Sequence, residues 1–193
     1  FYCDHLLDFT ELDKTLLGWV IDDMKSKLPK NLLFIFDTIK FAKFRNNVDN
    51  GYPHTNYDVI FITESFISDL LGYYNNNDIN GAIENIGAVI IHECVHVLQR
   101  KHPKSFNELY TKYWKFIKVN KIHNSAELNK RIRYNPDGPD TNWIFSFKGK
   151  HIYILSIYDE DAANIGHVKM IGVYVEKNND NCIIPNNAKI MAL

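Results

Sequence analysis

The chain has 193 residues, 46% of them hydrophobic and 23% charged, with a formal net charge of −1. That length and mix suit one folded domain able to bury a core without help from disulfides. The near-neutral charge excludes the basic footprint of a nucleic-acid binder. The three cysteines, Cys3, Cys94 and Cys182, are widely spaced and include no Cys-x-x-Cys pair, so neither a zinc ribbon nor a thioredoxin-like motif is on offer. Such usage fits a reducing compartment and predicts an intracellular, cytoplasmic protein. No apolar run reaches the roughly 18 residues of a transmembrane helix, so no membrane association is expected. The chain starts at Phe1 rather than Met, in keeping with removal of an upstream segment.

In chain order, residues 8–30 read as an amphipathic helix. Leu12, Leu16, Val20, Met24 and Leu28 recur at every fourth position, and Leu17 and Ile21 widen the stripe. Thr10 is the N-cap candidate and Pro29 the stop. The stretch 31–44, rich in β-branched and aromatic residues, predicts a strand. Turn residues follow in "NNVDNGYPHT", and 57–66 predicts a second strand alternating around Val59, Phe61 and Thr63. After the break at "NNNDIN", residues Ile79 to Lys101 read as a helix apolar almost all round, hence one buried through the middle of a domain. Pro103 ends it, and 104–117 reads as a second, aromatic-faced helix. The basic cluster Lys130–Tyr134 reads as a solvated helix end. Residues 142–158 predict a hairpin about a Lys-Gly-Lys turn, and 167–177 a further strand. The expected fold class is therefore α+β. A single domain over 1–193 would comprise a helix-and-strand half (1–120), whose buried motif helix packs on a small mixed sheet, and a loop- and β-rich half (121–193).

The segment that carries chemistry is "GAVIIHECVHVLQRKHP", Gly87 to Pro103, with His92, Glu93 and His96 in the pattern HExxH. Helical residues four apart are offset by about 40° and rise about 6 Å. His92 and His96 therefore point the same way from adjacent turns, where two imidazoles can reach one Zn²⁺. Glu93 falls on the flank of that face, where a carboxylate can act as a base. On a buried helix, two unliganded histidines and a glutamate would be costly, and a metal relieves that cost.

The motif HECVH resembles that of the zincin metallopeptidases, and the resemblance covers roughly Lys30 to Ile117. It implies a zinc-dependent hydrolase of peptide bonds, with His92 and His96 as metal ligands and Glu93 as general base and proton shuttle. It further implies a peptide or protein substrate laid along an edge strand that precedes the motif helix, a place matched by "YDVIFITE" (57–64). Peptide deformylase also carries HExxH on a helix, but its Gly-rich segment and upstream cysteine motif are absent here. The alternative from a different class is a non-catalytic, zinc-stabilised structural or interaction protein. The Asn-, Lys- and Ile-rich chain loosely resembles small HExxH proteins of large DNA viruses and some bacteria, which gives that alternative a virion-associated form. The presence of Glu93 favours catalysis, because a scaffold has little need of that carboxylate.

A catalytic zinc normally takes three protein ligands and a water. His102 has the metzincin spacing, but Gln99 stands where that subfamily turns sharply at glycine. Glu108 follows the Pro103 turn, yet Phe106, Leu109, Tyr110 and Tyr113 mark the buried face of its helix and leave it to one side. Asp137 and Asp140 lie in "YNPDGPD", a rigid loop suited to a cleft wall, although Asn-Pro-Asp-Gly is also good turn chemistry by itself. Glu160, in "YDEDAAN", loosely resembles the ligand helix of some small gluzincins. Among these the sequence reading favours Asp137. His54 and Tyr134 are candidate contacts for a substrate carbonyl or an oxyanion, and each also reads as an ordinary packed side chain.

Overall fold

A computed structural model describes residues 2–37, 39–48, 51–133, 142–158, 167–185, 188 and 190–192. The protein is α+β, and the chain divides into two compact units, Phe1–His102 and Pro103–Leu193.

The first unit is built mainly on three long helical segments and a four-stranded sheet. α1 (Glu11–Lys27) starts as its sequence requires, with Thr10 and Asp13 forming a reciprocal capping box. Its inner stripe is Leu16, Leu17, Val20 and Met24. Leu12, expected in that stripe, is 48% exposed. Asp13 takes its place on the inner side, and its carboxylate accepts from both the Thr10 backbone N–H (2.9 Å) and Lys43 Nζ (2.5 Å). Burial would push this carboxyl up. The Lys43 hydrogen bond, the Thr10 bonds and the Lys43 charge outweigh burial and hold it below the usual value.

The stretch 31–44 is not one strand. Pro29 opens a 3₁₀ helix, Lys30–Phe36, closed by Leu32 N–H to Pro29 O and Asp37 N–H to Phe34 O. Only Lys40–Phe44 is strand, labelled β2 after the short β1 (Leu6–Leu7). A continuous apolar run carries no alternation, so β propensity alone misassigned its first half. β3 (His54–Asn56) and β4 (Val59–Thr63) form a hairpin about Tyr57 and Asp58. The expected second strand stops at Thr63, where α2 (Glu64–Asn75) begins and buries Phe66, Ile67 and Leu70.

The sheet order is β1-β2-β4-β3, with β2 and β4 parallel and both outer pairs antiparallel. This corrects the edge-strand expectation. "YDVIFITE" contributes the interior strand β4, and the edge nearer in sequence to the motif helix is β3.

After Asn76 the helical run Ile79–Lys101 comprises a first turn (Ile79–Ala82), a π-helical turn (Ile83–Gly87) and α3 (Ala88–Lys101). The run is long and apolar enough to cross a membrane by length and composition, contrary to the sequence expectation, and 50% of its apolar window is buried in the protein. Ala82, Ile86, Ile90 and Cys94 form its core stripe, against α1, α2 and β4. Gly87 permits the close approach to α1, since a Cβ there would lie 2.9 Å from Met24 Sδ. The helix is not apolar all round. Glu84, Asn85, Ala88, His92 and Arg100 are exposed.

The second unit is mainly sheet. α4 (Pro103–Glu108) and a π-helical turn (Leu109–Tyr113) are shorter than the helix expected over 104–117. The chain leaves that helix at Trp114, passes Lys115 with φ 60° and enters β5 (Ile117–Lys118). Tyr110 is the buried residue of that helix, while Tyr113, expected beside it, is 72% exposed. β6 (Lys121–His123), α5 (Ala126–Arg131) and β7 (Ile132–Arg133) follow. β8 (Trp143–Phe147) and β9 (Lys150–Tyr158) make the expected hairpin, with Lys148 and Gly149 both at positive φ as a tight primed turn needs. β10 (Val168–Asn178) pairs with β9 over eight residues. β11 (Asn181–Ile183) and β12 (Ile190–Ala192) complete an eight-stranded sheet. Its core joins Val119, Ile144, Tyr153, Leu155, Ile157, Ile171, Val173 and Cys182.

Candidate metal centre

At about 100° per residue, His92 lies about 200° from Ile90 around the helix, and His96 about 200° from Cys94. The two histidines therefore sit on the side of α3 opposite its core stripe. Glu93 falls between the stripe and His96. The burial follows this arrangement: His92 is exposed, His96 is 7% exposed and Glu93 is 4% exposed. The motif begins one turn after the π-helical turn Ile83–Gly87, an element often found beside functional sites.

The imidazoles meet edge to face, with ring centroids 4.5 Å apart and planes at 88°. Their Nε2 atoms converge to 2.9 Å. Two nitrogens each about 2.0–2.1 Å from one zinc lie roughly 2.9–3.4 Å apart for ligand angles between a right angle and tetrahedral. The observed separation lies at the short end of that span, so the pair fits a shared metal. On its other side His96 Nδ1 lies 3.0 Å from Gln99 Oε1. An amide oxygen only accepts, so Nδ1 carries the proton and Nε2 keeps its lone pair towards His92.

Arg100, one residue on, ties the motif helix to the hairpin. Its Nε and Nη2 donate to Tyr57 O at 3.1 and 3.0 Å, and Nη2 also donates to Thr55 Oγ1 at 2.6 Å. Tyr57 has φ 52°, an uncommon conformation for a residue with a Cβ, and the guanidinium holds its carbonyl there. The edge strand β3 is thereby fastened beside the histidine face. His54, at the start of β3, stacks on Phe61 at 4.9 Å, with its Nδ1 3.2 Å from Tyr52 O. Cys94 points into the core. Burial first, and then the Glu93 charge, push its thiol up to about 12, which keeps it protonated and out of the chemistry.

The candidates for a third ligand fare differently. α3 continues through Gln99 to Lys101 without a sharp turn, and His102, its C-cap, is exposed. Glu108 pairs with Lys112 at 2.5 Å on its own helix. Asp137, Asp140, Glu160 and Tyr134 lie outside the described residues. Among the described residues no group of three or more His, Cys, Asp or Glu is placed to hold a metal. Gln99 and Arg100, whose side chains contact His96 and the β3–β4 hairpin, were not singled out from the sequence. Gln99 carried a usable signal, because a side chain three residues past His96 can reach its ring. Arg100 carried none, since its partners are 43 and 45 residues away. Compared with protein-family models, curated proteins and solved structures, the chain matches none of them.

Proposed function

We propose that this chain is a zinc-dependent peptidase of zincin type. The observation that supports the reading best is the convergence of His92 Nε2 and His96 Nε2 at 2.9 Å, on the outer face of a helix whose other face is core. These two nitrogens would hold the metal. When bound, zinc supplies a Lewis acid that lowers the pKa of a water to about 7. Glu93, next to His92 on the flank towards the core, takes a proton from the attacking water and returns it to the departing amine. Its position in a 4%-exposed setting keeps bulk water from competing for that proton.

The substrate reading rests on β3. It ends the sheet order, and its two-residue turn makes Asn56–Val59 the closing hydrogen-bonded pair. By alternation, the N–H and C=O of Thr55 then point away from β4, the direction in which an extended peptide would add to the edge. Arg100 fixes that residue's hydroxyl, and so locates the edge against the motif helix.

The test is zinc per chain in protein purified without added metal, beside His92→Ala. His92 is chosen over His96 because it is exposed and its loss leaves the core intact. About one zinc in the parent and none in the variant is expected, with cleavage of a peptide library abolished in Glu93→Gln. No zinc bound or taken up by the parent overturns the reading. Zinc bound without cleavage replaces it with the zinc-stabilised structural protein.

A further inference from the structure

We infer that Gln99 is a positioning residue for His96, setting its tautomer and ring orientation so that Nε2 is the atom offered to a metal. The inference rests on the metal reading above and deepens it. Neutral imidazole has two tautomers, and which nitrogen carries the proton depends on the hydrogen bond the other makes. At His96 that bond is supplied from within the same helix, Nδ1 to Gln99 Oε1 at 3.0 Å. His96 is 7% exposed, so the hydrogen bond to Gln99 is held largely out of bulk solvent.

With Nδ1 protonated, Nε2 keeps its lone pair, directed at the atom 2.9 Å away on His92. Without metal, His92 Nε2–H donates into that lone pair. To hold a metal, His92 would carry its proton on Nδ1 and offer the Nε2 lone pair. His92 is exposed and can make that change with water as its partner, whereas His96 arrives already set. The two ligands thus divide the work: one is held in advance and the other adapts.

The acceptor at Gln99 is a neutral amide. A carboxylate in its place would raise the basicity of the imidazole further, and partners of this kind are worth 10–100-fold in metal affinity. A loss of affinity on removing the acceptor, restored by an acceptor of either charge, separates a positioning role from a helix-surface pair with no bearing on the metal.

The experiment measures Zn²⁺ affinity by competition with a chromophoric chelator for the parent, Gln99→Leu and Gln99→Glu. Urea unfolding without metal is run on all three. Gln99→Leu should bind zinc about 10–100-fold more weakly, and its metal-free unfolding midpoint should fall because the buried Nδ1 loses its acceptor, a loss that Gln99→Glu should not share. Gln99→Glu should bind as tightly as the parent or tighter. Equal affinity in parent and Gln99→Leu overturns the inference and leaves the metal site standing, as does equal weakening in Leu and Glu variants. A parent that binds no zinc overturns the metal reading itself, and the inference falls with it.

Discussion

The two faces of the motif helix were made by different demands. On one, Ala82, Ile86, Ile90 and Cys94 recur every fourth residue and pack against α1, α2 and β4. On the other, His92, His96 and Gln99 carry polar atoms that meet one another, and Arg100 beside them reaches the β3–β4 turn. The first face is interchangeable chemistry in a demanding shape, because a core tolerates several apolar residues of the right volume. The second is demanding chemistry in a tolerant shape, since an exposed His92 packs against little. A helix read only by hydropathy merges the two, which is why it looked apolar all round.

The difference can be broken from either side. Ile90 is 1% exposed, and Ile90→Ala should cost about 2–5 kcal/mol in urea unfolding through the cavity it leaves. His92→Ala, on the opposite face, should cost only about 1 kcal/mol of metal-free stability, the hydrogen bond to His96 that it gives up. A comparable loss in both variants would erase the distinction between the faces.

The scaffold has its own polar element, which sharpens the contrast by pH. Asp13 is held below the ordinary carboxylate value by Lys43 and Thr10. A depressed folded-state pKa contributes stability that is present above the unfolded value and lost as pH falls through the folded one. The urea midpoint of the parent should therefore drop on acidification below the ordinary value of 3.8. Asp13→Asn should cost about 1–2 kcal/mol at neutral pH and lack part of that acid loss. An identical acid profile for the two proteins would remove Asp13 from the account.

A comparably small effect is expected at the tether. Arg100→Gln gives up the hydrogen bonds to Tyr57 O and Thr55 Oγ1 at an exposed position, for about 1 kcal/mol of stability. Its signature should be local, with faster amide exchange in the Tyr57 turn and unchanged zinc content. Unchanged exchange there would mean that the hairpin holds its place without the guanidinium.

What could be read in advance followed the range of the interaction. α1 was legible to its cap because Thr10 and Asp13 are three residues apart and the Leu16–Val20–Met24 stripe is periodic. The β8–β9 hairpin was legible because Lys148 and Gly149 suit a tight turn. α2 had a helical stripe at Phe66, Ile67 and Leu70, but the strand before it ran into it without punctuation. The 3₁₀ helix Lys30–Phe36 and the interior position of β4 were not legible. Neither a run's apolarity nor its place in the sequence says which strand ends a sheet.

By itself the sequence determined the spacing His92–Glu93–His96, the helix that carries it and the α+β class, because helical periodicity and local turn chemistry act between near neighbours. Only the tertiary structure decided that His96 and Glu93 are buried while His92 is exposed, that β3 rather than β4 is the edge, and that Arg100 joins α3 to it. Those outcomes depend on contacts between segments distant in sequence, the Arg100 tether among them. Such contacts exist only after the core has closed and left each polar side chain the partners still within reach.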